Sequence, residues 1–288
     1  MGRVGLVTVV VALVVTASVS ACGGGSVEPE PSTCPSGTGS TGGAAAYRGV
    51  LVDALVALES PGVAAELACP LEVNDVRQAA LVAPMDPSDT FATESAYRTA
   101  TAGQEGTFLP FFELPEGSGP DDVDRILREV GLFFRGMWVD DLSSVPGALV
   151  DAASARALLV AGPAPDSLAV LDRLLGDHPG ASVLVSAERP LAGLPDLLRE
   201  HDGLVVVMQA PGLGSGDEWL PVVQAAPERV LWGSGVTSVE AASASSYDRV
   251  IADVRALLGG LPRPMREAVA ATNARRLFGL PHPEDPDV

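Results

Sequence analysis

Carboxylates are the residues of this chain best placed to do chemistry, because several of them directly follow apolar, β-branched runs. The acids and polar groups in such positions are Glu59, Asp86, Glu113, Asp140, Asp141, Glu188, Arg189, Gln209, Ser234 and Thr237. Carboxylates that converge on one point can bind a ligand or hold Mg²⁺, Mn²⁺ or Ca²⁺, which prefer oxygen ligands. Acids after strands also cap the next helix, where unpaired amides favour negative charge. The sequence leaves these alternatives open.

Histidine and lysine contribute little to the candidate chemistry. The chain has no lysine, which excludes a Schiff-base or carbamylated lysine. Its three histidines, His178, His201 and His282, lie in short connections before predicted strands or in the tail, so we expect structural or solvated roles. The catalytic candidates are therefore the carboxylates Glu113, Asp140 and Glu188. Such a group needs its pKa raised by burial to act as a base at neutral pH.

Eight apolar runs alternate with amphipathic stretches and predict the elements that position these groups. This alternation is typical of repeated βα units around a parallel sheet, and it predicts an α/β fold of the (β/α)8 TIM-barrel type. Helices are predicted at Asp121–Glu129, Ser167–Leu175 and Tyr247–Leu258. The predicted strands are Leu51–Leu58, Ala79–Ala83, Thr107–Glu113, Phe134–Val139, Ala157–Ala161, Ser182–Ser186, Leu204–Gln209 and Arg229–Gly233.

The C-terminal part carries a more specific signature. Arg-Val-Leu-Trp-Gly-Ser-Gly at 229–235 precedes an amphipathic stretch and then Ala-Thr-Asn-Ala-Arg-Arg-Leu-Phe-Gly-Leu at 271–280. With Phe-Arg-Gly-Met-Trp at 134–138 and the junction from Leu174 to Ser186, it resembles the amidohydrolase-related family of metal-dependent barrel hydrolases and decarboxylases. The resemblance covers most of 47–280. It implies an amidohydrolase-like barrel whose substrates are small carboxylic or cyclic amide compounds.

The same resemblance implies that this chain lacks the metal site of the family. The two first-strand histidine positions are occupied by Leu55 and Ala57, the sixth-strand ligand position by Ser186 or Ala187, and the terminal aspartate position by Gly235. We therefore expect no metal or other cofactor in a standard site. Asp53 retains the acid of the first-strand motif, and alternation predicts that it points inward as a structural acid, with an arginine as a possible partner.

The N-terminal region predicts export. Arg3 and the apolar run that ends at Cys22 are typical of a lipoprotein signal peptide over 1–21, although an anchor helix is the alternative. Residues 22–46 have the composition of a disordered tether, 47–280 form the barrel, and 281–288 form a flexible tail. Outside the cytoplasmic membrane Cys34 and Cys69 can pair; a free, buried Cys69 is the alternative.

Together these features predict a lipid-anchored protein on the extracytoplasmic face of the cell membrane. Its barrel is expected to bind a small ligand or an envelope protein as a pseudoenzyme. The alternatives are an active hydrolase or decarboxylase that uses rim carboxylates with a divalent metal, and a purely structural spacer. A formal net charge of −19 at pH 7 argues against nucleic acid as a partner.

Overall fold

The computed structural model describes Cys34 and residues 46–57, 60, 64–86, 88–102, 106–130, 133–210, 217–238 and 243–280. The predicted signal peptide, most of the predicted tether and the predicted tail lie outside these residues. Within the described part of the chain, no helix is both long enough and apolar enough to cross a membrane.

One parallel sheet organises the described residues. It contains eight strands in the order in which they occur along the chain, and it closes almost completely into a barrel, which confirms the predicted (β/α)8 fold. Each strand is followed by a connection that returns over the outside of the sheet. The strands are β1 Leu51–Ala57, β2 Val76–Pro84, β3 Phe108–Glu113, β4 Gly136–Trp138, β5 Leu159–Pro163, β6 Val183–Ala187, β7 Leu204–Gln209 and β8 Val230–Gly233.

Helices surround the sheet and leave their polar faces to solvent. Ser167 and Asp89 illustrate why helices begin where they do, since each side chain accepts a hydrogen bond from a first-turn amide. The described helices are α1 Ala64–Val73, α2 Thr90–Ala100, α3 Pro120–Val130, α4 Gly147–Ser154, α5 Leu168–Asp177, α6 Leu194–Glu200, α7 Leu220–Ala225, α8 Ala244–Gly260, α9 Arg263–Glu267 and, after a π-helical turn at Ala268–Thr272, α10 Asn273–Phe278.

Alternation along the strands divides the buried residues between two layers. In β7, Val205 and Val207 belong to a cluster inside the barrel, whereas Val206 and Met208 belong to the cluster between the sheet and the helices. Both layers are closely packed with aliphatic side chains. Alternate residues near the carboxyl end of each strand therefore face the mouth of the barrel, which is where active sites of this fold lie.

The predicted strands differ from the observed ones mainly in the middle of the chain. The fifth predicted strand began at Ala157, but Ala157 lies in a turn with φ of 54°, and β5 begins two residues later at Leu159. The predicted fourth strand, Phe134–Val139, shortens to Gly136–Trp138. The weakly patterned second strand is longer than predicted and spans Val76–Pro84.

The C-terminal motif closes the amino-terminal end of the barrel. Asn273 donates to the carbonyls of Pro227 and Val230 at the start of β8, with N–O distances of 2.7 and 2.8 Å. Phe278 enters the interior cluster and packs edge-to-face on Phe111, with 5.8 Å between ring centroids. Gly279 then ends the helix with φ of 64°, a conformation that favours glycine. The motif therefore has a complete structural role.

A disulfide joins the predicted tether to the barrel. Cys34 pairs with Cys69 of α1, and their Cα atoms lie 5.2 Å apart. Of the two alternatives for Cys69, the structure has the paired one. The pair attaches the chain before Tyr47 to a helix of the barrel wall.

Candidate functional site

The seam between β8 and β1 is where the barrel closes, and it depends on one buried carboxylate. Among the described residues, the strand pairing at this seam is an isolated bridge between Val56 of β1 and Val236, which follows β8. The Asp53 carboxylate supplements it by accepting from the Ser234 amide at 2.8 Å and from the Leu55 amide at 3.1 Å. The Tyr247 hydroxyl of α8 donates to its second oxygen at 3.0 Å. Asp53 therefore ties β1, β8 and an outer helix together.

The prediction that Asp53 points into the barrel is wrong. The register of β1 against β2 shifts between Asp53 and Val56, so alternation does not continue unbroken through this part of the strand. The hydrogen bond from Tyr247 of α8 shows that the Asp53 carboxylate lies on the side of the sheet that faces the helices. Its described hydrogen-bond partners include no arginine. Burial raises the pKa of Asp53 to about 6, although hydrogen bonds from Ser234, Leu55 and Tyr247 oppose the shift.

The positions that correspond to metal ligands in the resembled family lie beside this seam, and their side chains do not fit a metal ion. Leu55 is 3% exposed and belongs to the interior apolar cluster. A Cβ atom added at Gly233 would lie 2.7 Å from the Leu55 Cβ, so leucine packs directly against the backbone of β8. Ala57 offers no ligand atom, and neither does Gly235, whose φ is 64°.

Ser186 occupies the remaining ligand position, at the mouth end of β6. It is 2% exposed, and its oxygen accepts a hydrogen bond from the Gln209 side chain of β7 at 2.9 Å. These two residues form a polar pair on neighbouring strands. Ser186 offers one hydroxyl, and the side chains at the other three ligand positions offer no ligand atom. The four positions therefore do not provide the three good ligands of a mononuclear zinc site.

The other polar part of the mouth lies on β3 and β4. Glu113 pairs in register with Trp138, and both follow the alternation of interior residues such as Phe111. Asp140 comes two residues after Trp138. Burial raises the pKa of Glu113, and the negative charge of Asp140 raises it further. Sequence reasoning identified the two carboxylates, and they follow neighbouring strands, where the charge of Asp140 acts on Glu113.

Trp138 is a mouth residue that the sequence reasoning did not select. It is partly buried and packs against the interior cluster. Trp138 can be selected only when it is known to pair with Glu113 across β3 and β4. A single sequence does not reveal the register between parallel strands. The described mouth therefore combines Glu113, Trp138 and Asp140 with the Ser186–Gln209 pair.

The remaining rim candidates have local roles or are simply exposed. Asp86 accepts from the backbone and hydroxyl of Ser88, and Asp141 accepts from the Ser143 amide, so both carboxylates organise turns. These hydrogen bonds hold the pKa of each carboxyl below its usual range. Ser234 is 1% exposed within the seam. Glu188, Arg189 and Thr237 are exposed at the rim, and Glu59 lies outside the described residues.

A cleft adjoins the β3–β4 side of the mouth. Its volume is about 470 Å³, and it lies between the loops that follow β3 and β4. Asp140 and Asp141 line it together with Leu114, Val145 and Leu149. Asp140 therefore both affects the pKa of Glu113 and lines this open cleft. The cleft is large enough for a small organic molecule.

The described histidines lie at the opposite end of the barrel from the mouth. His178 follows α5 and lies 2.6 Å from Asp151 of α4, while His201 follows α6 and lies 2.8 Å from Asp172 of α5. Asp172, Glu200 and His201 are close enough together to suggest a metal cluster within the described residues. Because His201 precedes β7, this cluster is remote from the mouth, and its contacts link neighbouring helices.

Comparisons with known proteins reveal structural but not sequence relatives. No family model matches this sequence, and no curated protein matches it. An amidohydrolase from Burkholderia multivorans, solved with bound zinc, is similar in structure: the TM-score is 0.55 at 15% identity, covering 81% of this chain and 100% of that one.

Two further solved structures share the architecture. N-acetyl-D-glucosamine-6-phosphate deacetylase from Mycobacterium smegmatis aligns with a TM-score of 0.54 at 15% identity, over 81% of this chain and 77% of that one. An inactive dihydroorotase-like domain of a Chaetomium thermophilum multifunctional protein aligns with a TM-score of 0.54 at 12% identity, over 82% of each chain. At these identities the likeness shows the fold alone. That fold is the (β/α)8 barrel that these amidohydrolases share.

Proposed function

We propose that this chain is a membrane-anchored binding protein whose amidohydrolase-like barrel has lost metal-dependent hydrolysis. The mouth of the barrel would bind a small molecule, and a lipid on Cys22 would hold the protein on the extracytoplasmic face of the membrane. An envelope protein is the alternative partner for the same rim. The observation that carries the proposal is the chemistry of the ligand positions: Leu55, Ala57 and Gly235 offer no donor atom, and Leu55 fills space against Gly233.

Retained polarity supports binding over a purely structural role. Glu113, Trp138 and Asp140 line one side of the mouth, and Ser186 and Gln209 line another. A barrel that served only as a spacer would have no need to keep two close carboxylates at its mouth, because their mutual repulsion costs stability. The inactive dihydroorotase-like domain from Chaetomium thermophilum is a precedent for this fold without activity.

Two features support the proposed location. The first 21 residues have the pattern of a lipoprotein signal that ends before Cys22. The disulfide between Cys34 and Cys69 is typical of oxidising compartments outside the cytoplasm. Labelling of the expressing bacterium with a clickable fatty acid tests the anchor, since wild type should take up label and Cys22→Ser should not.

Activity and ligand binding can be tested on the same sample. The chain from residue 22 with Cys22→Ser retains Cys34 and its disulfide. We expect no turnover of small carboxylic and cyclic amide substrates above the buffer rate, and we expect saturable binding of at least one small molecule that changes Trp138 fluorescence. Hydrolysis that a chelator abolishes would overturn the proposal, as would a rim that binds no ligand and no envelope protein.

A second candidate is an active hydrolase or decarboxylase that uses Glu113 and Asp140, with a divalent metal held by carboxylates. The raised pKa of Glu113 favours it, because a carboxyl group that keeps its proton nearer neutral pH can act as a general acid or base. Under this candidate, Glu113→Gln abolishes turnover, while Asp166→Asn, a change at an exposed rim acid, leaves turnover intact.

A further inference from the structure

We propose that the barrel has a second binding site at its amino-terminal end, where a cavity takes a small organic anion. The ligand class is a carboxylate or phosphate group attached to a short hydrocarbon skeleton. The cavity lies at the opposite end of the sheet from the mouth, so this inference is independent of the proposed function. It rests on the charge of the cavity, on a buried hydroxyl without a partner and on the apolar surface beside them.

The cavity lies below the starts of β4, β5 and β6, and its volume is about 490 Å³. Arg135 and Ser182 each directly precede a strand, and Leu159 begins β5. The end of α10, at 277–279, lines the cavity from the side of the C-terminal motif. Arg135 and Gly180 are exposed, so the cavity is accessible from solvent. A cavity of this volume is large enough for a small organic molecule.

The first argument is the charge of the cavity. Its described lining residues include two arginines, Arg135 and Arg156, and no acid. Acids outnumber basic residues by 37 to 18 in the whole chain, so this lining departs from the composition. The cleft beside the mouth has the opposite charge, since its described lining includes Glu116, Asp140 and Asp141 and no arginine. The cavity at the amino-terminal end therefore favours an anion and disfavours a cation.

The second argument is that one of the two arginines is available to a ligand. The guanidinium of Arg156 forms an ion pair with Asp124 of α3 at 2.5 Å. Within the described ranges, the Arg135 side chain forms neither an ion pair nor a hydrogen bond. A guanidinium group presents paired N–H donors that match two oxygens of a carboxylate or phosphate. Arg135 can therefore bind an oxyanion without breaking a contact of the fold.

The third argument is a buried hydroxyl group. Ser154 is the last residue of α4 and lines the cavity. Its Oγ atom is buried and has no hydrogen-bond partner among the described residues. A helical serine often donates to a carbonyl one turn earlier, but Ser154 does not. Because a buried, unpaired hydroxyl is unfavourable, an oxyanion in the cavity would provide the missing acceptor. This observation points to a polar ligand independently of the arginines.

Apolar side chains define the rest of the ligand. Phe134, Leu158 and Phe278 line the cavity and are buried, and Leu277 is partly buried beside them. A bare inorganic anion would leave this surface in contact with water, whereas a hydrocarbon skeleton would cover it. The site therefore favours an organic anion. Such a group can belong to a free molecule or to the headgroup region of a phospholipid, and the experiment distinguishes the two sources.

Three probes with the same hydrocarbon chain test the charge preference. Octanoate, octanamide and octylamine have negative, neutral and positive head groups at pH 7. Binding is measured by calorimetry on the chain from residue 22 with Cys22→Ser. Phenyl phosphate and inorganic phosphate form a second pair, which tests whether the hydrocarbon contributes. Cosedimentation with phosphatidylglycerol vesicles, compared with phosphatidylcholine vesicles, tests the lipid as the source of the anion.

Octanoate should bind saturably and at least about tenfold more tightly than octanamide or octylamine. Arg135→Gln should weaken octanoate binding about tenfold. Arg199→Gln is the matched control, because it removes an exposed arginine that pairs with Asp196 and is not among the described lining residues. Ser154→Ala should weaken binding about threefold without lowering the thermal unfolding temperature, because the free protein has no hydrogen bond to lose there. Thermal unfolding of each variant shows whether it is folded.

The remaining outcomes decide the ligand class and its source. Equal binding of the three octyl probes would overturn the anion class, and so would full octanoate affinity in Arg135→Gln. Failure of octanoate, phenyl phosphate and phosphatidylglycerol vesicles to bind at millimolar concentration would overturn the site itself. Binding to phosphatidylglycerol vesicles that Arg135→Gln abolishes would support a lipid source, and binding of the soluble probes alone would support a free molecule. Ligand binding at the mouth is read from Trp138 fluorescence, so the two sites are tested separately.

Discussion

The β8–β1 seam and the end of β3 and β4 hold their carboxylates in different ways. At the seam of β8 and β1, the ligand positions of the resembled family are filled by Leu55 and Gly235, and the one carboxylate, Asp53, is fully enclosed by hydrogen-bond partners. At the ends of β3 and β4, the charge of Asp140 raises the pKa of Glu113, and neither acid has an arginine ion pair among the described residues. The role of an acid at a strand end therefore becomes clear only once its partners are known.

Burial alone does not distinguish the two carboxylates, since it raises the pKa of both Asp53 and Glu113. The difference lies in what surrounds them. Asp53 accepts three hydrogen bonds from groups that would otherwise be unpaired. Glu113 has a second negative charge as its neighbour. The first arrangement stabilises the charged carboxylate through hydrogen bonds, and the second places a like charge near it.

The largest expected effect comes from breaking the seam. Asp53→Ala leaves two buried amides and the Tyr247 hydroxyl without an acceptor, so we expect the free energy of unfolding to fall by about 4 kcal/mol. Urea denaturation followed by circular dichroism measures it. Asp86→Ala is the matched control, because it removes an exposed acid that organises only a turn. A loss below about 1 kcal/mol for Asp53→Ala would mean that the seam does not depend on this carboxylate.

The next effect is a pH dependence that belongs to the same residue. The pKa of Asp53 rises from 3.8 to about 6 on folding, so the folded state binds the proton more tightly than the unfolded chain. Its contribution is fully present below pH 3.8 and is lost as pH rises through about 6. The loss amounts to about 3 kcal/mol.

Asp53→Asn isolates this contribution from the many other acids of the chain. The amide can keep both backbone hydrogen bonds and donate to the Tyr247 oxygen. The stability of wild type minus that of Asp53→Asn should therefore decline between pH 4 and pH 7. A difference that stays constant, or that grows with pH, would show that Asp53 is not protonated more readily in the folded state.

The smallest expected effect is a gain in stability on substitution of Glu113, whereas Asp53→Ala is expected to cause a loss. Glu113→Gln removes one of two repelling carboxylates from a partly solvated site, so we expect stability at pH 7 to rise by about 0.5 kcal/mol. Asp166→Asn serves as the control for a change of one charge at the rim. A clear destabilisation by Glu113→Gln would indicate that Glu113 has a structural partner, as Asp53 does.

The sequence predicted the fold well because the pattern of apolar runs is local. The predicted seventh strand agrees with Leu204–Gln209, and the predicted helix at Asp121–Glu129 lies within α3. Strand boundaries were predicted wrongly where an apolar residue lies in a turn, as Ala157 does before β5. The C-terminal motif was recognised as a signature, but its contacts, such as Asn273 with Val230, required the closed barrel.

The site was predictable only in part, because its contacts join distant parts of the chain. Glu113, Asp140 and Gln209 were identified by their positions at strand ends, and Ser186 was one of the two residues assigned to the sixth-strand ligand position by the resemblance. The Asp53–Tyr247 hydrogen bond spans 194 residues, and the register shift in β1 reversed the side predicted for Asp53. Neither the hydrogen bond nor the register shift can be predicted from the residues of one strand alone.

Measurement of bound metal tests most directly whether this barrel works without a metal such as the zinc of the Burkholderia multivorans amidohydrolase. The Cys22→Ser chain would be exposed to zinc, manganese, magnesium and calcium, desalted and analysed by elemental mass spectrometry. The account predicts far less than one equivalent of any of the four metals. Near-stoichiometric metal that Glu113→Gln or Asp140→Asn removes would contradict it and would make the carboxylate-based enzyme the better explanation.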